Sequence, residues 1–335
     1  MNSFIAAGNF TLDDVVTSEG LVKRNQLGGN GVYSAAGMRL WGVNVILLSV
    51  VGDDFPVAYL DMLSGCGIDI SGVSVVSQRH ELRSRAFYFP DGSRTDVISE
   101  AKDIITERIA GELDLVSEYP SMGSSLHRTI WPVFTPDTSQ VPKNLGQVGG
   151  AHLAPGNLDN NRRLALIMKQ MSHQKIVISY DWPWWEWDCE GQDDANLLAH
   201  IDYLMPSIEE ANIYSGPLDR SAPDALRDLL IKYDLSSVLM KKGALGSSIL
   251  VEPDGEWINI PAFPTNAKDP TGAGDAFCGG FQVGLFETGD PVQAALYGAV
   301  SASFVIEEFS PTHACLVNPD NARKRLAKMR SMMSD

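Results

Sequence analysis

The segment Asp269 to Gly280, DPTGAGDAFCGG, places the small residues Gly272, Ala273 and Gly274 directly before Asp275, at what reads as the start of a helix. Successive backbone amides with no bulky side chain beside them, at the positive end of a helix, form a cradle for an anion. An aspartate there is ordinarily a cap, because its carboxylate accepts from unpaired first-turn amides. Beside an anion cradle it has a second use. It repels phosphate itself, but it is placed to take a proton from a hydroxyl that attacks the phosphate. An ordinary Asp pKa of about 3.9 leaves it ionised near neutrality. The chemistry that fits these residue types is phosphoryl transfer to an alcohol. Gly279 and Gly280 each cost about 1 kcal/mol in a helix relative to Ala, so another backbone or a ligand is expected close to the second turn.

Other motifs do not account for the segment. Neither GGNGVYS nor TGAGDAF satisfies GxGxxG, since Ser34 and Phe277 stand where the third glycine would fall, and GK[ST], HExxH, GxSxG and zinc-finger spacings are absent.

The elements that must position these residues alternate. Apolar runs at Phe4–Asn9, Val45–Val51, Ala151–Pro155, Ile176–Tyr180 and Val238–Lys241 read as buried strands, and Ser247–Val251 with Trp257–Ile260 as a hairpin. Helical spacing covers Gly31–Leu40, Phe55–Leu63 and Asn157 to about His173, and three helices begin near Asp275, Pro291 and Asn321. Strand and helix in alternation predict a mainly parallel sheet covered by helices. Two stretches, about 14–27 and 75–99, alternate apolar and polar residues, the second broken by Pro90-Asp91-Gly92, and predict antiparallel ribbons projecting from the body. No repeat or linker divides residues 1–335, which read as one domain with a small appendage.

Composition narrows the function classes. The chain has 26 basic and 42 acidic residues, a formal charge of -16, and no local basic cluster, which argues against a nucleic-acid partner. No apolar run approaches the roughly 18 residues a membrane helix needs, and the N-terminus has no leader pattern, so a cytoplasmic location is expected. Cys66, Cys189, Cys278 and Cys315 form no CxxC pair and read as reduced thiols. Trp182, Trp184, Trp185 and Trp187 follow a buried strand, and such aromatic clusters more often pack a loop than bind a ligand.

Asp269 to Phe277 closely resembles the C-terminal signature of the ribokinase-like (pfkB) carbohydrate kinases. Further matches follow in family order over nearly the whole chain: Gly8–Asp13, the di-glycine Gly28-Gly29 with Asn30, Val50–Val73, Met205–Ala211, and Lys242–Gly246. The resemblance implies a ribokinase-like three-layer α/β sandwich with a small β lid, formed here by the two ribbons. It implies ATP-dependent phosphorylation of a sugar or sugar-like alcohol, with Mg2+ and, in many members, K+. Asp275 would be the base and Gly272, Ala273 and Gly274 the anion hole. Asp13, Gly28, Gly29, Asn30 and Tyr33 would contact the acceptor, and Lys241, Gly243, Gly246 and Gly274 the nucleotide. Glu210 would join the magnesium-phosphate network, and Asp269 and Thr271 a monovalent cation site. A homodimer through the lid ribbons is a family-based expectation.

Asp181 matches a family acid, but Pro183 and Trp185 stand where Asn and Arg are common, and the chain departs from the family at three further points. Tyr33 stands where Asn is frequent, Ser207 opens the nucleotide-side motif in place of Asn, and Glu307–Thr312 replaces a glycine-rich loop. Two alternatives stay open: a nucleoside kinase of the same family, and a catalytically silent sugar or nucleotide sensor.

Overall fold

The computed structural model describes residues 3–90, 93–101, 129–145, 148–172, 175–182 and 195–333. Its strands are β1 (Ser3–Ala7), β2 (Thr11–Val16), β3 (Val22–Gly28), β4 (Asn44–Gly52), β5 (Ile68–Asp69), β6 (Val73–Val76), β7 (Arg83–Tyr88), β8 (Arg94–Thr95), β9 (Val148–Leu153), β10 (Ile178–Tyr180), β11 (Tyr203–Leu204), β12 (Ser237–Lys241), β13 (Ser247–Leu250) and β14 (Ile258–Ile260).

Among the described residues, ten strands form one sheet in the order β14-β13-β12-β11-β10-β9-β1-β4-β5, with β6 also paired to β4. The pairs from β4 through β1 and β9 to β12 are parallel, and β13 and β14 add an antiparallel hairpin at one edge. Alternate residues of the central strands serve opposite layers. Phe4, Ala6, Val45 and Leu47 join the core with the helices Asn30–Arg39, Ala273–Thr288, Pro291–Val305 and Pro319–Met332. Ile5, Ala7, Leu48, Ala151 and Leu153 join the core with the helices Leu158–Met171 and Ala222–Tyr233. Burial on both faces is why these strands read as unbroken apolar runs. The expected three-layer α/β sandwich is the fold.

The remaining strands form a second sheet, ordered β3-β2-β7-β8. β2–β3 and β7–β8 are the antiparallel ribbons expected from the sequence, and a parallel β2–β7 pairing joins them. The second ribbon begins at Arg83 and not at residue 75. Val75 and Val76 belong to β6, which pairs with Val51 and Gly52 at the edge of the large sheet. Their alternation reflects that half-covered edge. Residues 91 and 92 of the expected turn lie outside the described residues, as do His173, Cys189, Trp184, Trp185 and Trp187. Trp182 is buried and packs on Tyr214 at 4.9 Å between ring centroids, as a packing role predicts.

The glycines that looked costly in the Ala273–Thr288 helix answer to other backbones. A Cβ on Gly279 would overlap the Ser34 carbonyl oxygen, and one on Gly37 would overlap that of Ala276, so these two helices touch main chain to main chain. A Cβ on Gly280 would strike Ser301 of the next helix. Filling such a contact forces the backbones apart, typically costing about 1–3 kcal/mol. Gly279→Ala is therefore expected to lower unfolding free energy in urea by about 1–3 kcal/mol. Gly65→Ala, where nothing lies within 4 Å, should be neutral or stabilising by up to about 1 kcal/mol. Equal effects of the two substitutions would count against the contact.

Candidate active site

The Ala273–Thr288 helix starts without a side-chain cap. Its first flanking residue, Gly272, takes the left-handed conformation at φ 75°, and no side chain bonds the first-turn amides. The Ala273 amide donates to the Pro270 carbonyl at 3.2 Å, closing a turn. Among the described residues, no backbone carbonyl accepts from the Gly274 or Asp275 amides, which are left for an anion at the positive helix end. Asp275 is thus not spent as a cap.

Pro270 lies in an Asx turn: the Asp269 carboxylate accepts from the Thr271 amide at 2.9 Å, and the Lys268 and Asp269 amides donate to the Ile306 carbonyl. Asp269 is buried in this supporting role. Thr271 exchanges a 2.7 Å hydrogen bond with Tyr88 of β7, which ties the small sheet to the Gly272 turn.

Tyr33 supports the same turn. A Cβ on Gly272 would fall inside the Tyr33 ring, so the ring packs flat against the glycine. Asn30, at the start of its helix, accepts from the Asn9 amide (2.7 Å) and donates to the Pro155 carbonyl (2.7 Å). Its amide thereby staples the ends of β1 and β9. Gly28 and Gly29 are also explained by protein neighbours, since a Cβ would meet the Asp13 carboxylate at the first and the Asn9 carbonyl at the second. Asp13 itself is buried and accepts from the Ser84 hydroxyl at 2.6 Å.

Beneath the helix start lies a buried cation. The Lys241 ammonium pairs with the Asp181 carboxylate, lies 3.8 Å from the Cys278 sulfur, and would be 3.5 Å from a Cβ on Gly274. Burial works against its charge, but Asp181, Cys278 and Glu210 hold its pKa above the ordinary lysine value. Glu210 sits at the N-terminus of helix Ile208–Ser215, in a reciprocal cap with Ser207. The turn Lys242–Gly246 needs φ of 56° at Gly243 and 85° at Gly246, and a Cβ on Gly246 would overlap the Ile260 carbonyl. Lys242 is bound to Ser248 and Asn259 of the hairpin.

Burial dominates the titration of the acids. It raises Asp275 to about 7, with Asp181 adding to the shift while Lys241 and Arg94 oppose it. Asp13 rises to about 6, held back by its bonds to Ser84 and Thr11. Glu210 rises to about 8, from burial and then the Asp181 charge. A carboxylate poised near neutrality at the mouth of an anion cradle suits proton transfer at physiological pH.

Asp13, Tyr33, Asp269, Thr271, Gly272 and Asp275 thus surround one turn, with Lys241 and Glu210 beneath it. The sequence reading missed Ser84, Tyr88 and Arg94, which come from β7 and β8. Their placement depends on strand register, which no local motif encodes. Asp181 had a signal, an acid at the end of a buried strand. Among the described residues, no group of three or more His, Cys, Asp or Glu is arranged to hold a metal, and no helix is long and apolar enough to cross a membrane.

Residues 143–318 match the model of the pfkB family carbohydrate kinases. The chain is 24% identical over 297 residues to the cytidine kinase of Thermococcus kodakarensis, covering 88% of this chain and 91% of that protein. It is 24% identical over 294 residues to the 5-dehydro-2-deoxygluconokinase of Clostridium tetani, covering 86% and 80%. Its fold is similar to that of a ribokinase II from E. coli in complex with ATP and Mg2+, with a TM-score of 0.68, 20% sequence identity, and 98% and 100% of the two chains covered. The family match spans more than half of the 335 residues and includes Glu210, Lys241, the Gly272 turn and Asp275; the chain belongs to the pfkB family of carbohydrate kinases.

Proposed function

We propose that the protein transfers the γ-phosphoryl group of ATP to a hydroxyl of a sugar or sugar-like alcohol, with Asp275 as general base. The observation that carries this reading is the pairing of open Gly274 and Asp275 amides with a half-buried carboxylate whose pKa is raised to about 7. Asp13 and the backbone at Gly28 and Gly29 face the acceptor, while Asn30 and Tyr33 hold the walls in place. The acceptor oxygen attacks the γ-phosphorus, its proton passes to Asp275, and the bond from phosphorus to the ADP oxygen breaks. The Gly274 and Asp275 amides receive the phosphoryl oxygens, with Lys241 as fixed positive charge below them. The small sheet acts as a lid, anchored through Tyr88 and Thr271, which keeps water from competing as acceptor.

Magnesium fits this site. Glu210 is a carboxylate with a raised pKa beside Asp181, and Mg2+ takes one or two carboxylates plus substrate phosphates and needs no full protein cage. Glu210 is the residue that would hold it, with Asp181 beside it committed to Lys241 and the Trp182 amide. The ion supplies charge neutralisation on the phosphates. The side chains offered to a monovalent cation fit poorly, because Asp269 accepts from Thr271, Thr271 meets Tyr88, and Glu307 and Glu308 are paired with Arg325 and Lys268.

Nucleoside phosphorylation is the second reading, favoured by the similarity to a cytidine kinase. A silent sensor is disfavoured by Asp275, since binding alone needs no base.

Asp275→Asn is expected to lower kcat by about 10²- to 10⁴-fold, while calorimetry finds ATP affinity little changed. Near-normal turnover in that variant would refute the assignment. Because the base must be ionised, kcat/KM should rise with pH through about 7, following the raised Asp275 pKa. A profile flat from about pH 6 to 8 would show that another group takes the proton.

A further inference from the structure

The Gly272 turn is held from behind by a second segment. The Lys268 and Asp269 amides, just before the turn, both donate to the Ile306 carbonyl, at 2.8 and 3.2 Å. Two donors use both lone pairs of that oxygen. The loop that continues from Ile306, Glu307–Thr312, also reaches the small sheet. Phe309 packs against Val15, Ala86 and Tyr88, and Tyr88 returns to Thr271 of the turn. One loop therefore touches both the anion cradle and the sheet beside it.

Arg325, on the helix Pro319–Met332, joins this loop to the chain that enters the turn. Its guanidinium donates to the Ser303 hydroxyl at 2.9 Å and to the Glu307 carboxylate at 3.0 Å. The guanidinium carbon lies 3.5 Å from the centre of the Phe304 ring and 4.8 Å from that of Phe263. Ser303, Phe304 and Glu307 belong to the loop side, while Phe263 leads into the turn. Thr265, also on the entering chain, donates to the same Glu307 oxygen. Only 17% of the Arg325 side chain is exposed, against 47% and 42% for the nearby pair of Lys268 and Glu308. Exposed pairs contribute little, whereas a largely desolvated guanidinium that is both forked to acceptors and set against aromatic rings is firmly placed. Arg325 is thus the cation that holds the two segments together.

A monovalent metal ion beside Asp269 and Thr271 would be held by oxygens that replace its water. The oxygens on these two segments are committed. The Ile306 carbonyl accepts from two amides, Asp269 Oδ1 from the Thr271 amide, and Glu307 from Arg325 and Thr265, while the Thr271 hydroxyl meets Tyr88 and the Ser310 and Thr312 hydroxyls meet each other. We propose that Arg325 is a positioning residue for phosphoryl transfer, a built-in cation that holds the Glu307–Thr312 loop against the chain entering the Gly272 turn, so that the enzyme needs no monovalent metal ion. This rests on the kinase reading above.

Two measurements test it. The first needs no turnover: the thermal unfolding midpoint of the whole chain in potassium, sodium or tetramethylammonium chloride, at one ionic strength of about 0.1 M so that exposed charges are screened alike. Equal midpoints are expected. A midpoint raised by potassium over tetramethylammonium, as binding to the folded state requires, would overturn the proposal. The second is ADP release with the fastest acceptor from a panel of aldoses, alditols, aldonates and ribonucleosides. Wild-type kcat should be the same in the three salts. Arg325→Gln should lower kcat by about 10- to 100-fold, as displacement of a preset reaction geometry does, with KM for ATP little changed. Arg325→Lys, which keeps the charge without the fork, should recover part of the loss. Activation by potassium, or an Arg325→Gln enzyme of unchanged kcat whatever its unfolding midpoint, would overturn the proposal and leave the kinase reading standing. No ADP release from any acceptor would overturn both.

Discussion

The backbone contact between the helices Asn30–Arg39 and Ala273–Thr288 sets the geometry on which the site depends. Each helix starts in the site, one after the Gly28-Gly29 pair and the other at the Gly272 turn. They meet where Gly37 faces the Ala276 carbonyl and Gly279 faces that of Ser34. Main-chain atoms are the nearest neighbours on both sides of that contact, so the offset between the Gly28-Gly29 pair and the Gly272 turn is fixed by main chain. Ser301 extends the lock, fitting beside Gly280, donating to the Gly37 carbonyl at 3.0 Å and accepting from the Trp41 indole at 2.9 Å. Two mid-helix glycines are individually unfavourable. Their cost is offset by a close approach that no larger residue permits.

That rigidity also explains the electrostatics. Asp13, Asp181, Glu210, Asp269 and Asp275 crowd a space that holds only Lys241 and Arg94 as described counter-charges. A flexible site would splay the acids into water. Here packing holds Asp13, Asp181 and Asp269 buried and Glu210 and Asp275 half-buried, and Asp13, Asp275 and Glu210 respond by keeping protons to higher pH than usual. In the proposed reaction, the effect would reduce the negative charge that an incoming polyphosphate meets. Lys241 cannot follow the same course, because burial, which works against its charge, is outweighed by Asp181, Cys278 and Glu210 together.

Much of this was legible in the sequence, for reasons that can be named. The buried strands appear as apolar runs because both faces of the large sheet are covered, and Asp275 appears because glycine and alanine before an acid leave amides exposed at a helix start. Gly279 and Gly280 announced a close neighbour, though not that the neighbour would be the Ser34 carbonyl and Ser301. Asn30 and Tyr33 look like acceptor contacts from position alone, yet one amide is spent stapling Asn9 to Pro155 and the ring is spent under Gly272. These roles depend on partners such as Pro155 and Gly272, more than a hundred residues away. Helix Ala222–Tyr233 carried a readable cap in Ser221 and an apolar stripe, and was still passed over because no motif drew attention to it. Tyr88 and Arg94 were hidden by the parallel β2–β7 pairing, a long-range choice without local punctuation.

The same pairing shows why Asp13, and not its neighbour Asp14, faces the site. Both are buried, and their side chains leave opposite faces of β2. The register of β2 against β3 shifts between Asp13 and Val15, and Asp14 is caught there by the Asn25 amide at 2.7 Å and the Arg24 guanidinium at 3.4 Å. Asn25 adopts a left-handed φ of 50° to make that contact. A slip of one residue would exchange the two acids, leaving Asp14 in the site and Asp13 without its Ser84 bond. The Asp14 clamp thus fixes the register of a sheet that carries Asp13, Tyr88 and Arg94 together. An acid outside the site determines which acid is inside it.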